Sequence, residues 1–235
     1  MVIAGLQKMT LLDYPGKVAC TVFLQGCNFR CPFCHNRDLL DTAPEAIGRE
    51  ELLAFLNKRK GLLDAVCISG GEPTLQPDLE PLMREIKALG YAVKLDTNGS
   101  RPAVLKHLVA QGLLNYVAMD VKNSPAQYAN TIGMDTPAPD AMEESLSFLL
   151  SNAVDYELRT TVVAELHSEQ SVEELGRWLH RLSPEQKAKR FFLQAYVDRD
   201  SVLCAGLHAP SAETLAAYKA ILAPYVSEIV IRGEG

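Results

Sequence analysis

No apolar run in this 235-residue chain approaches the roughly twenty residues needed to cross a bilayer. The opening Met-Val-Ile-Ala-Gly-Leu-Gln-Lys lacks the basic stretch, apolar core and cleavage site of a secretory leader. A cytoplasmic protein with no membrane partner is expected. No internal repeat, low-complexity block or like-charge run interrupts the chain, and its prolines and glycines are scattered as punctuation, so one domain over 1–235 is expected. The net charge of −6 argues against binding a phosphate backbone, which needs clustered Lys and Arg; no nucleic-acid partner is expected. Cysteine is scarce outside one short segment. Cys20, Cys67 and Cys204 are too dispersed for a disulfide framework, and Cys20 and Cys67 sit inside apolar runs as plain core residues.

The remaining three cysteines are concentrated. Cys27, Cys31 and Cys34 form a Cys-x3-Cys-x2-Cys triplet, which can hold an iron–sulfide cluster and leave one metal without a protein ligand. A fourth cysteine would close such a cluster for electron transfer, whereas an open position lets a substrate or cofactor coordinate iron. Structural zinc is the competing reading, but closed tetrahedral sites need four ligands with paired spacings. The adjacent His35 is poorly placed to share one ion with Cys34. Zinc or an inert cluster in a non-catalytic binding module therefore stays open as the rival of a different class.

β-rich runs alternate with helical patterns along the chain, the signature of a parallel sheet wrapped by helices. Strands are expected near 18–24, 65–69, 92–96, 116–120, 158–163 and 191–195. The clearest helix places Leu79, Leu82, Met83, Ile86 and Leu89 on one face and stops at Gly90. Others start near Arg49, Ser100, Ala141, Ser171 and Ser211, with Ser100 as cap and Pro102 in the first turn. On this map the triplet follows the first strand and Gly70-Gly71-Glu72-Pro73 the second. Asp96-Thr97-Asn98-Gly99 ends the third and Asp120-Val121-Lys122 the fourth. In a parallel α/β sheet those carboxyl ends share one face, where active sites are assembled. Six βα units suit the length better than the eight of a closed barrel of about 250 residues, so an open, partial (β/α)6 barrel is expected. Long loops at 123–140 and 198–210 follow strands on the same face and suit a docking or lid role.

These residues resemble the radical S-adenosylmethionine superfamily, whose hallmark is this cysteine loop followed by Gly-Gly-Glu after the second strand. Within it, the segment from Gly26 to Asn36 is similar to glycyl-radical-enzyme activating proteins. Thr10 to Lys17, followed by Phe23 to Cys27, resembles the activating proteins of anaerobic ribonucleoside-triphosphate reductase. The resemblance implies one 4Fe-4S cluster on Cys27, Cys31 and Cys34, with S-adenosyl-L-methionine as cofactor. It implies reductive cleavage of that cofactor to a 5'-deoxyadenosyl radical, which abstracts hydrogen from a glycine of the reductase. The implied partners are that glycyl radical enzyme and flavodoxin or ferredoxin as electron donor.

Roles for single residues follow from the same likeness. Gly70 and Gly71 would let backbone approach the methionine amino group, where a tight turn is the plain alternative. Glu72 and Asn98 would position the cofactor, and Phe33 would lie beside adenine and cluster. His35 and Asn36 are close enough to the cysteines to tune the cluster. Asp96, Thr97 and Asp120 present hard oxygens suited to a monovalent or divalent cation, with the Ala118 carbonyl. Lys122 would pair with the cofactor carboxylate; a salt bridge to Asp120 or Asp96 is its alternative. Where the pyruvate formate-lyase branch carries a histidine near the ribose, this chain has Tyr196, which points away from pyruvate formate-lyase. Cys67 alone stands between Cys34 and Gly70, which disfavours branches with auxiliary clusters. The rival within the superfamily acts on another glycyl radical enzyme or on a small molecule, as the 7-carboxy-7-deazaguanine synthases do.

Overall fold

The computed structural model describes residues 1–40, 46–134, 139–199 and 202–233. Parts of the two long loops, at 135–138 and 200–201, lie outside the described residues. The described residues form eight strands: β1 (Ile3–Thr10), β2 (Ala19–Leu24), β3 (Ala65–Gly70), β4 (Ala92–Thr97), β5 (Tyr116–Asp120), β6 (Asp155–Val162), β7 (Ala188–Ala195) and β8 (Val226–Arg232). Hydrogen-bonded neighbours follow chain order from β1 to β8. The backbone groups into two compact units, one of Met1–Asn28, Asp38–Thr97 and Ala103–Ala118, the other of Phe29–Arg37, Asn98–Pro102 and Met119–Gly235.

In the first unit β2, β3 and β4 run parallel, with Ala19 beside Ala65 and Ala65 beside Ala92, while β1 is antiparallel to β2. Their carboxyl ends therefore share one side, as the pattern of the sequence requires. α1 (Arg49–Lys58) and α2 (Leu79–Ala88) connect these strands. α2 buries Leu79, Leu82, Met83 and Ile86 of the 3.6-residue stripe read from the sequence, whereas Leu89 is the half-buried residue that ends the helix, and Gly90 follows at φ +95°. Each such side chain contributes about 2 kcal/mol on leaving water. Cys20 and Cys67 are completely buried core residues, and burial pushes both thiols up to about 12. α3 (Pro102–Ala110) begins on its proline, where the missing N–H costs nothing. Ser100 is two residues before that start, one short of the expected cap; its N–H donates to Asn98 Oδ1 at 2.9 Å in a local turn.

In the second unit β6, β7 and β8 run parallel, with Leu158 beside Phe191 and Phe191 beside Ile229. α4 (Tyr128–Ile132), α5 (Pro139–Leu150), α6 (Glu169–Leu182) and α7 (Ala212–Leu222) accompany them. α6 starts two residues before the expected Ser171. Ser168 is its cap, and Ser171 is the reciprocal member of a capping box. Ser211 caps α7 as expected, accepting from Thr214 N–H. α4 corrects the expectation of plain loop over 123–140.

β1 and β8 correct the expectation of six strands. Both lie at the ends of the strand order, and only Ile3 and Thr10 of β1 and Val226 of β8 are fully buried. An edge strand packs one flank only, so its sequence carries no strong apolar alternation.

Candidate functional site

The Gly-Gly corner closes on the start of the cysteine loop. Leu24 and Gly70, the last residues of β2 and β3, are register partners. Beyond them Gly71 N–H donates to Leu24 O and Glu72 N–H to Gly26 O, both at 2.8 Å. Gly70 adopts φ +114°, and a Cβ there would meet the Leu24 backbone at 2.3 Å; at Gly71 it would meet Gly26 O at 2.1 Å. Both positions require glycine because protein backbone fills the side-chain space, which is the tight-turn alternative made specific. Gln76 adds a hydrogen bond to Gln25 O at 2.7 Å. The entry to Cys27 is thereby fixed from three directions.

Glu72 is fully buried. Its Oε1 accepts from Thr74 N–H at 3.0 Å, from the Thr74 hydroxyl and from the Thr97 hydroxyl at 2.8 Å. It caps the short turn Pro73–Leu75 and ties it to the end of β4. Asp96 accepts from Lys94 Nζ at 2.5 Å and from Ser69 Oγ at 3.1 Å. Lys94 is 1% exposed, a cation buried inside an apolar strand and matched by this carboxylate.

The second unit holds the rest of the cysteine loop. Arg30 N–H donates to Ile132 O at 2.9 Å, and Gly133, at φ +65° past α4, leaves room for Arg30 O where a Cβ would sit 2.2 Å away. Cys204 N–H donates to Pro32 O at 2.9 Å, and Arg37 Nη1 to Val202 O at 3.2 Å. Cys34 N–H closes a turn on Cys31 O at 3.0 Å. His35 stacks on Tyr196, centroids 5.6 Å apart, and its Nε2–H donates to Val197 O at 2.7 Å. Both long loops thus grip the cysteine segment through main-chain bonds. Phe33 is buried within it, 4% exposed.

Lys122 lies against this segment, Nζ 5.8 Å from the centroid of Phe33. Nζ donates to Asp120 Oδ2 at 2.8 Å, while Arg159 Nε donates to Asp120 Oδ1 at 2.9 Å. The salt bridge named as the alternative for Lys122 is therefore present. Burial alone would raise the Asp120 carboxyl, but Arg159 and Lys122 outweigh it and hold it well below the usual carboxylate range. Burial likewise opposes the Lys122 charge, yet Asp120 and then negative charge on the Cys31 sulfur raise its pKa above the ordinary ammonium value. The Lys122 main chain is pinned by His167, whose Nδ1 accepts from Val163 N–H at 3.1 Å while Nε2–H donates to Lys122 O at 2.9 Å. Burial lowers the His167 pKa and keeps the ring neutral.

Arg159, Lys94 and His167 escaped the sequence reading. A signal existed for the first two, a lone cation inside an apolar strand run, since such a charge needs a buried partner. His167 carried none. Tyr196 is 1% exposed and donates to Asp198 Oδ1 at 3.2 Å. Asn98 is buried and turns its carbonyl onto its own loop.

The donor chemistry suits an iron–sulfur cluster: Cys27, Cys31 and Cys34 are thiols outside any disulfide, and the Lys122 ammonium is in electrostatic reach of Cys31. Among the described residues no group of three or more His, Cys, Asp or Glu side chains is gathered as a finished metal site. Asp96, named with Thr97 and Asp120 for a cation, pairs with Lys94, and Asp120 with Lys122 and Arg159. No helix among the described residues is long and apolar enough to cross a membrane.

A parallel α/β scaffold carrying a thiol-rich loop and a glycine corner at its strand ends defines a class of redox enzyme rather than one member. The family model for the radical SAM superfamily matches residues 21–190. A Methanocaldococcus jannaschii protein named as a glycyl-radical enzyme activating enzyme is 33% identical over 179 residues, 74% of each chain. The pyruvate formate-lyase-activating enzyme of Clostridium pasteurianum is 34% identical over 131 residues, 52% of each chain. The solved radical SAM methyltransferase of Sphaerobacter thermophilus shares the fold at TM-score 0.74 and 16% identity, covering 97% of this chain and 69% of that one. The fold is the partial α/β barrel of that class. The chain belongs to the radical SAM superfamily and, within it, to the oxidoreductases that activate glycyl-radical enzymes.

Proposed function

We propose that this enzyme binds one 4Fe-4S cluster through Cys27, Cys31 and Cys34 and activates anaerobic ribonucleoside-triphosphate reductase, with flavodoxin or ferredoxin as electron donor. When bound, the reduced cluster supplies the electron that splits S-adenosylmethionine into methionine and a 5'-deoxyadenosyl radical, which takes hydrogen from a glycine of the partner. The chain's own residues bind and orient. The observation that carries the reading is Lys122, a half-buried ammonium held against Phe33 of the cysteine loop, which suits a carboxylate-bearing cofactor seated there. Gly70, Gly71 and Glu72 hold the loop entry, and Phe33, Asn98 and Tyr196 complete the cofactor surroundings. Asp96 and Asp120 serve charge matching against Lys94, Lys122 and Arg159, and Thr97 holds Glu72 through its hydroxyl.

The choice of reductase is supported by the segment Thr10 to Lys17. Thr10 Oγ1 accepts from Leu12 and Asp13 N–H, Asp13 accepts from the Thr21 hydroxyl, and Tyr14 packs on Tyr116 at 5.5 Å. Tyr196 in place of a histidine argues against pyruvate formate-lyase. The test is anaerobic mixing of the reduced enzyme, S-adenosylmethionine and the reductase, read by electron paramagnetic resonance. A glycine-centred doublet is expected on the reductase. A doublet only on another glycyl radical enzyme would reject the reductase, and none on any would reject the activase reading.

A further inference from the structure

Asp120 has two carboxylate oxygens and two cations, one on each. Arg159 takes Oδ1 and Lys122 takes Oδ2, at 2.9 and 2.8 Å. The two cations differ in freedom. Arg159 lies within β6, its carbonyl accepting Val121 N–H at 2.8 Å, and its Nη1 also reaches Glu157 at 4.0 Å. Lys122 lies beyond the end of β5, and its four-carbon stem can swing while His167 holds its backbone. The four groups, Lys122, Arg159, Asp120 and Glu157, balance in charge, two positive against two negative.

We infer that Arg159 is the positioning residue that frees Lys122 for an anionic ligand, by keeping Asp120 paired when the ammonium turns away. A half-buried carboxylate facing a single cation keeps hold of it, so an Asp120 whose sole counter-ion was Lys122 would retain it. With Arg159 fixed on the other oxygen, Lys122 can exchange one carboxylate for another at little cost. The incoming group is the carboxylate of an amino-acid-bearing cofactor beside the cysteine loop. This rests on the reading of the site as an S-adenosylmethionine site.

The test is calorimetric binding of S-adenosylmethionine to the anaerobically reconstituted enzyme, with thermal melts as a check of folding. Arg159→Met should raise Kd at least about tenfold, because Lys122 becomes committed to Asp120. The double variant Asp120→Asn, Arg159→Met should restore Kd to within about threefold of the parent, since nothing then retains Lys122. A merely structural role for Arg159 would not give that rescue. Parent-like binding by Arg159→Met, or a double variant no tighter than the single one, overturns the inference while leaving the cofactor site standing. Cluster-loaded parent enzyme that binds no S-adenosylmethionine overturns the functional reading itself, and this inference with it. If Arg159→Met is too unstable to purify, Arg159→Gln and its double with Asp120→Asn decide the matter by the same ratio.

Discussion

The imidazole of His35 lies nearly parallel to the ring of Tyr196, 13° between planes, and hands its Nε2–H to the next carbonyl, Val197. One face of the cysteine loop is thereby fastened to the exit of β7. The contact spans 162 residues of sequence.

Breaking that contact should loosen the cluster. Tyr196→Ala removes the stacking surface, an interaction of roughly 1 kcal/mol, and should speed iron loss by about tenfold, the low end for residues that orient metal ligands. Tyr196→Phe keeps the ring and should hold iron like the parent. Iron content and visible absorption after anaerobic desalting check this; equal retention by Tyr196→Ala would refute it.

The glycine corner makes a prediction in the cofactor-free protein. Gly71→Ala drives a methyl into Gly26 O and should cost at least about 3 kcal/mol. Gly16 also has positive φ, +71°, but nothing lies within 4 Å of its added Cβ, so Gly16→Ala should cost only about 1 kcal/mol. Denaturant unfolding of both variants measures the difference.

Glu72 is a structural carboxylate before any cofactor binds. Glu72→Ala removes the acceptor shared by the Thr74 N–H and the Thr74 and Thr97 hydroxyls and should destabilise the protein by roughly 2–4 kcal/mol. Glu72→Gln, which keeps an accepting oxygen, should lose less than half of that. A parent-like midpoint for Glu72→Ala would mean that water replaces the carboxylate.

Alkaline pH should weaken the fold through its buried thiols. Cys20 and Cys67 are raised by burial to about 12, whereas the unfolded thiols titrate near about 8.5. Between those values the unfolded state has lost protons that the folded state keeps, so stability falls as pH rises. From pH 8.5 to pH 10 the loss is roughly 2 kcal/mol per cysteine. Unfolding under argon with reductant, compared with the Cys20→Ala, Cys67→Ala double variant, should show a flatter profile in the variant.

Much of the scaffold was legible because its signals are local. α2 declared itself by the spacing of Leu79, Leu82, Met83 and Ile86, and the parallel strands by short apolar runs followed by turn residues. β1 and β8 did not, because edge strands pack on one flank. The start of α6 slipped because Ser168 and Ser171 both belong to one capping box, and either serine satisfies the local pattern.

The cysteine spacing and the Gly-Gly-Glu sequence were determined by the chain alone, since thiol intervals and glycine-only backbone geometry are properties of a few consecutive residues. Which partner each charge and ring would take was decided only by the tertiary structure. Arg159 meets Asp120 across 39 residues and His35 meets Tyr196 across the chain. Such pairings are fixed by burial, which makes an unmatched charge costly and selects whichever counter-ion the packed strands bring within reach.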